Sequence, residues 1–284
     1  MRHLLTFLTI LVFPMVSTAL GQQIVAHRGA SHDAPENTLA AFRQAWQQNA
    51  DAIEGDFYLT ADQHIVCLHD KNTKRVAPQA PVLTPAKATL EELRKLDVGS
   101  WKHPRYKGEQ IPTLAEVLET IPAGKQIFLE IKCGPEILPV LKPQLESSGL
   151  DPEQVVIICF NEAVIRGARE TMPQYKANYL TGYKRNKTTG RWSPSRQQVI
   201  ETLKQTQATG LGSQGKRAVL DEAFARAVRE AGKELHVWTV NDADDAKAFA
   251  DLGVDSITTD RPGYIRNVLA GRSDAAPAGA VLAP

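Results

Sequence analysis

Short β-rich runs alternate with amphipathic helical segments along almost the whole chain, and this alternation restricts the fold more than any other feature. A strand, a helix and a second strand in succession close by a crossover, which makes the strands parallel and puts the helices outside the sheet. The runs predict strands at Ile24–Ala26, Ala52–Asp56, Ile65–His69, Gln126–Lys132, Val155–Phe160, Ala177–Leu180, Thr209–Gly212, Glu234–Val240 and Asp255–Thr258. Over Thr38–Gln48 the spacing of Leu39, Phe42 and Trp46 predicts a helix with Asn37 as its N-cap. Further helices are predicted over Leu90–Leu96, Leu114–Ile121, Glu162–Glu170, Ser195–Gln207, Asp221–Ala231 and Ala243–Leu252. A closed (β/α)8 barrel and an open doubly wound sheet both satisfy the pattern, and the strand count favours the barrel. It leaves nine candidates for eight places, of which Thr209–Gly212, short and glycine-rich, is the weakest. The step from Asp56 to Ile65 is too short for a helix, so one βα unit is abbreviated. Residues 71–110, rich in Pro and Lys, read as a small insertion after the third strand.

The ends of the chain read differently from its body. Arg2 and His3 precede an apolar run from Leu4 to Val16, followed by small residues up to Gly21, the pattern of a secretory signal peptide over 1–21. The run is short for a membrane span and is interrupted by Pro14. The expected product is a secreted or periplasmic domain over 22–270 with no stable membrane anchor. The Ala/Pro/Gly-rich tail, 271–284, cannot bury a core and is expected to be disordered. A net charge of +1 gives no basic face for a nucleic acid. Cys67, Cys133 and Cys159 do not make a disulfide framework, although a Cys133–Cys159 bridge is compatible with neighbouring strand ends. No oligomeric state follows from the sequence.

Gly210-Leu-Gly212-Ser-Gln-Gly215 spells a dinucleotide fingerprint but lies late in the chain, and Lys216-Arg217 follows it. A loop near the barrel mouth is the expected reading. The chemistry lies elsewhere, because barrel enzymes carry reactive groups at the C-terminal strand ends. The first strand ends in His27-Arg28-Gly29, the second carries Glu54 and Asp56 on one face, the third ends in His69-Asp70, and the fourth carries Glu130 and Lys132. Carboxylates inside a parallel strand need compensation, and three of them suit a hard divalent cation such as Ca2+ or Mg2+.

The segments Ala26-His27-Arg28-Gly29, Ala34-Pro35-Glu36-Asn37-Thr38, Ile53-Glu54-Gly55-Asp56, Leu68-His69-Asp70, Leu129-Glu130-Ile131-Lys132, Val237-Trp238-Thr239-Val240-Asn241 and Thr259-Asp260-Arg261-Pro262 together resemble the glycerophosphodiester phosphodiesterase family. Ordered matches run from about Ile24 to Leu269. The resemblance implies a TIM barrel, with His27 and His69 as acid and base, and Glu54, Asp56 and Glu130 as ligands of one divalent cation. It places Arg28 and Lys132 at the phosphate and Trp238 at the barrel mouth. It also implies a small-molecule glycerophosphodiester as substrate, opened through a cyclic phosphate.

Two other readings compete with this one. A sphingomyelinase D-like lipase shares the histidines and carboxylates, but the PENT and WTVN segments and the lack of a cysteine pair near the first loop argue against it. A non-catalytic exported barrel would have lost a histidine or a carboxylate, and none is lost. The basic stretch Thr181–Ser195, with Tyr183 and Trp192 interleaved, departs from the family pattern and is expected to be a solvated loop. Cys159 stands where the family commonly has serine, and Asn186-Lys187-Thr188 forms a glycosylation sequon.

Overall fold

The computed structural model describes residues 22–271; the expected signal peptide, 1–21, and the tail beyond Gly271 lie outside the described residues. In chain order the strands are β1 (Gln23–Ala26), β2 (Ala52–Leu59), β3 (Ile65–Cys67), β4 (Gln126–Ile131), β5 (Val155–Cys159), β6 (Lys176–Thr181), β7 (Lys184–Arg185), β8 (Trp192–Ser193), β9 (Gly210–Gln214), β10 (Glu234–Trp238) and β11 (Ser256–Thr259). The α-helices are α1 (Leu39–Gln47), α2 (Leu90–Arg94), α3 (Leu114–Leu118), α4 (Leu138–Glu146), α5 (Glu162–Thr171), α6 (Arg196–Gln205), α7 (Glu222–Glu230), α8 (Ala243–Asp251) and α9 (Pro262–Leu269). None is long and apolar enough to cross a membrane.

Eight parallel strands close into a barrel, in the order β1, β2, β4, β5, β6, β9, β10 and β11. Closure is made by β1, which pairs with β11 on one side and with β2 on the other. Alternate residues of the strands fall into two separate apolar clusters, as parallel strands buried on both faces require. Val25, Ala52, Phe128, Val156, Ile158 and Leu180 fill the interior, while Ile24, Ile53, Ile127, Ile157 and Leu211 pack in the larger cluster that includes the helices.

The structure corrects three sequence expectations. Ile65–Cys67 is not a barrel strand; it folds back antiparallel on the far end of β2, pairing Phe57 with Cys67. Its place is taken by the weakest candidate, now β9, which pairs with both β6 and β10. Gly210 and Gly212 therefore serve packing and not a loop, since a Cβ on either would meet the side chain of Asn178 or Leu180 at 2.8 or 2.3 Å. The N-cap of α1 is Thr38, whose hydroxyl accepts from the Ala41 amide at 3.2 Å. All three cysteines are free, in keeping with the absence of a disulfide framework, and the buried Cys159 thiol donates to the Ile131 carbonyl at 3.0 Å.

Three elements had no predicted counterpart: α4, α9 and the β7–β8 hairpin. Pro143 inside α4 weakens its sequence signal. The segment after β3 packs Leu68, Val76, Leu93, Val98 and Ile111 into a small core of its own against Tyr58 of β2 and Val66 of β3. It carries α2, closed by a capping box in which Thr89 and Glu92 satisfy each other's backbone amides.

Candidate active site

Two motif residues owe their identity to backbone shape. Arg28 sits at φ 55° and Gly29 at φ 80° in the tight turn that leaves β1. A Cβ at Gly29 would lie 2.5 Å from the Ala41 carbonyl carbon, so only glycine fits there. The turn is held by the Arg28 amide, which donates to Glu54 Oε2 at 2.8 Å. Asn37, also left-handed at φ 57°, clamps Asp56: its Nδ2 donates to Oδ2 at 2.8 Å and its Oδ1 accepts from the Asp56 amide at 3.2 Å. The PENT segment thus orients a carboxylate, and the N-cap expected at Asn37 is its neighbour's task.

All the side chains expected from the strand ends converge on one rim. Glu54, Asp56 and Glu130 each place an oxygen within 4.8 Å of the others. Lys132 Nζ stands 2.7 Å from Glu130 Oε1 and 3.1 Å from Asp56 Oδ1, and Arg28 Nε lies 3.2 Å from Asp56 Oδ2. Burial pushes Glu54 well above the usual carboxylate range, with Asp56 and Glu130 adding repulsion. Burial and Asp56 likewise push Glu130 up to about 7. Asp56 is held low: burial opposes its charge, but Lys132 and Arg28 outweigh it. Burial also works against the charges of Lys132 and Arg28, and Asp56 overrides it in both. Among the described residues, two buried oxygens of the cluster, Glu54 Oε1 and Asp56 Oδ1, have no hydrogen-bond partner, and only the second has a cation, Lys132, beside it. An orphaned acceptor beside two further carboxylates is the donor set a hard divalent cation requires, so the residues fit one.

The histidines flank this cluster, each tied to a carboxylate. His27 Nδ1 lies 2.6 Å from Asp260 Oδ1, and Asp260 also accepts from Ser31 Oγ at 3.0 Å and Asn241 Nδ2 at 2.6 Å. His69 Nδ1 lies 2.7 Å from Asp70 Oδ1, and Asp70 accepts from Arg75 Nε at 2.8 Å. Arg75 also grips Glu36 with two N–H groups, at 2.7 and 2.8 Å, and Glu36 in turn accepts from Arg28 Nη1 at 3.0 Å. An ionised carboxylate only accepts, so each imidazole donates from Nδ1 and keeps Nε2 free for proton transfer. The Arg75 hydrogen bond holds Asp70 down at about 2. Burial lowers His69, with Arg28 and Lys132 adding to it against the pull of Asp56 and Asp70.

His69 reaches the rim by an unexpected route, on the antiparallel turn after β3 and not from a barrel strand. The roles of Asp70, Arg75, Glu36, Asn37, Ser31, Asn241 and Asp260 as supports went unassigned in the sequence. Asp260 had a usable signal, since it follows the last strand as His27 follows the first.

The cluster opens into a cavity of about 160 Å3 running into the barrel. His27, Arg28, Glu54, His69, Glu130 and Lys132 line its polar end; Phe128, Ile158, Leu180 and Trp238 line the rest, with Asn178 and His236 also in its wall. Trp238 Nε1 donates to the Gly212 carbonyl at 3.0 Å, which fixes the indole as a wall. Phe160, 46% exposed, meets it edge-on with ring centroids 5.5 Å apart.

The Glycerophosphoryl diester phosphodiesterase family model matches residues 27–264. The chain belongs to this family. Membership makes it an enzyme of phosphodiester hydrolysis, and its barrel is the fold expected from the resemblance. It is 32% identical to a glycerophosphodiester phosphodiesterase of Caldanaerobacter subterraneus over 265 residues, covering 87% of this chain and 97% of that one. A Bacillus subtilis protein of the same name is 28% identical over 291 residues, covering 94% and 95%. Among solved structures, an Oleispira antarctica phosphodiesterase in complex with the product sn-glycerol-3-phosphate superposes with a TM-score of 0.78 at 29% identity. It covers 88% of this chain and 97% of its own.

Proposed function

We propose that this enzyme hydrolyses glycerophosphodiesters to glycerol 3-phosphate and an alcohol, using one divalent cation and paired histidines. The observation that carries the reading is a buried three-carboxylate cluster with an unpaired oxygen, flanked by two imidazoles whose Nδ1 atoms are each committed to a carboxylate. The product complex of the Oleispira antarctica relative supports the substrate class. Glu54, Asp56 and Glu130 would hold the cation, Mg2+ or Ca2+. When bound, it neutralises phosphoryl charge and so stabilises the charge that builds at phosphorus.

The protein's own groups divide the remaining work. Arg28 and Lys132, both kept cationic by Asp56, line the cavity and hold the anionic phosphoryl oxygens. One imidazole takes the proton from the glycerol 2-hydroxyl as that oxygen attacks phosphorus. The other, protonated at Nε2, donates to the departing alcohol oxygen. A cyclic phosphate results; water then opens it with the roles of the histidines reversed, giving glycerol 3-phosphate. Asp260 and Asp70 keep each ring in the right tautomer throughout, as carboxylate partners of catalytic histidines do. The apolar walls, with Trp238 and Phe160 at the mouth, exclude water from the first step. Residues 1–21 fit export of this domain to the periplasm or beyond, where diesters released from lipids would be met.

The test is to incubate the mature chain with glycerophosphocholine, with and without divalent ion, and to assay glycerol 3-phosphate. Metal-dependent release is expected. Release that persists after verified metal removal would overturn the cation's part, and no release with metal present would overturn the substrate.

A further inference from the structure

The stretch from Thr181 to Ser195 has no part in the chemistry above, yet it rises from the same rim. A Cβ placed at Gly182, just past β6, would lie 3.9 Å from Trp238 Cη2 in the cavity wall. Tyr183 fastens the next step, its amide donating to Gln214 Oε1 at 3.2 Å and its buried hydroxyl meeting Ser213 Oγ at 2.9 Å. The chain then leaves the barrel as the β7–β8 hairpin, pairing Lys184 with Ser193 and Arg185 with Trp192. Asn186 closes its tip, accepting from the Thr188 and Thr189 amides, both at 2.9 Å. Trp192 packs half-buried against the main core. The expected solvated loop is largely exposed and carries a short hairpin.

Its charge is one-sided. From Thr171 to Ile200 the chain has no carboxylate, and Lys184, Arg185, Lys187, Arg191 and Arg196 all fall within that span. All five are exposed, and none forms an ion pair among the described residues, whose ion pairs resume with Lys176 before them and Arg217 after. In a chain of net charge +1 this is a marked concentration beside the catalytic mouth. On the other side of the mouth, just past His69-Asp70, Lys71 and Lys74 are also exposed. A field of one sign around a cleft raises the local concentration of ligands of the other sign and discriminates among them by charge.

We propose that the hairpin is a second anion-binding arm of this active site, favouring diesters whose leaving alcohol itself carries a phosphate. The inference rests on the phosphodiesterase reading and names a substrate class for the same site. The scissile diester would occupy the carboxylate and histidine cluster, while the second phosphate, outside the cavity, faces Lys184, Lys187 and Arg191. Their backbone is already ordered by the hairpin ladder and the Asn186 turn, so little ordering entropy is lost on binding.

A matched pair of soluble substrates tests this: glycerophosphoinositol and glycerophosphoinositol 4-phosphate, which differ only in a phosphate on the leaving ring. With the metal-loaded enzyme, kcat/KM should favour the phosphorylated ring. In the triple variant Lys184→Gln/Lys187→Gln/Arg191→Gln that preference should fall roughly fivefold to tenfold, through KM, with turnover of the unphosphorylated diester unchanged. Raising salt should erode the wild-type preference in the same way. A preference that is absent in the wild type, or unchanged in a triple variant of normal melting temperature, overturns the arm. So does a variant that keeps the soluble preference but loses binding to phosphatidylglycerol vesicles, which would make the hairpin a membrane contact. Wild-type silence on both diesters would bring down the phosphodiesterase reading itself.

Discussion

The barrel holds carboxylates at both ends, and the two ends treat them in opposite ways. At the N-terminal end, Glu234 opens β10 and accepts from Lys176 Nζ, the first residue of β6, while His236 Nε2 lies 3.3 Å away. His236 Nδ1 in turn meets Ser256 Oγ at 2.8 Å. The His236 hydrogen bond, with help from Lys176 and against burial, holds Glu234 down at about 2. At the C-terminal end, burial and mutual repulsion push Glu54 and Glu130 up, and Glu54 Oε1 is left without a partner. One end is a finished network that closes the barrel floor. The other keeps like charges together and a polar atom unsatisfied, an arrangement that costs stability and is retained where a ligand completes it.

The largest effect expected from this contrast is catalytic. His69→Ala should lower kcat by roughly a thousandfold or more, the scale of losing a general acid or base. The fold should be unaffected, because this imidazole bonds to Asp70 at the rim and belongs to no apolar cluster. Single-turnover kinetics beside a circular dichroism melt would show it. Wild-type turnover in the variant would remove His69 from the acid–base pair.

A pair of conservative substitutions tests the two ends directly. Glu54→Gln should abolish metal-dependent activity while leaving the metal-free melting temperature equal or higher, since burial already disfavours the Glu54 charge and the amide keeps an acceptor for the Arg28 amide. Glu234→Gln should retain kcat and lose about 1–2 kcal/mol of stability, the scale of a charge-assisted hydrogen bond. If both variants lose stability alike, the rim is as satisfied as the floor and the case for a cation weakens.

The rim side of this contrast is legible in the sequence, and the limits of that reading are physical. Polar residues at C-terminal strand ends are anomalous in a parallel strand, so His27, Glu54, Asp56, Glu130 and Lys132 stood out, and the structure brings them together with His69. What sequence spacing does not encode is which distant side chains meet. Asp260 lies 233 positions from His27, and Glu36 lies 39 from Arg75. Ile65–Cys67 reads as a barrel strand because three apolar residues look alike in either strand direction; only the hairpin at residues 60–64 separates them. Conversely, Gly210 and Gly212 make a true strand the weakest candidate, because their missing side chains make room for Asn178 and Leu180 and leave little apolar pattern to read. The Glu234 network escapes a sequence reading for a related reason, as Lys176 and Ser256 reach it from two other strands.

The smallest expected effect is the pH response, and it runs in a different window at each end. Glu130 is raised to about 7 by burial and Asp56, so a proton competes with a cation for that carboxylate. Metal affinity should be full above pH 7 and fall as pH drops through it, by roughly tenfold per unit for one displaced proton. Glu54, raised by the same causes, steepens the fall. At the floor, Glu234 titrates at about 2 in the fold against 4.5 when unperturbed, so its stabilisation is present above 4.5 and lost as pH falls towards 2. Calorimetric metal titrations between pH 5.5 and 8, with melts of wild type and Glu234→Gln from pH 6 down to 3, separate the two. A flat metal affinity would mean that Glu130 is not a ligand; parallel acid melts would mean that the floor network is not what keeps Glu234 ionised.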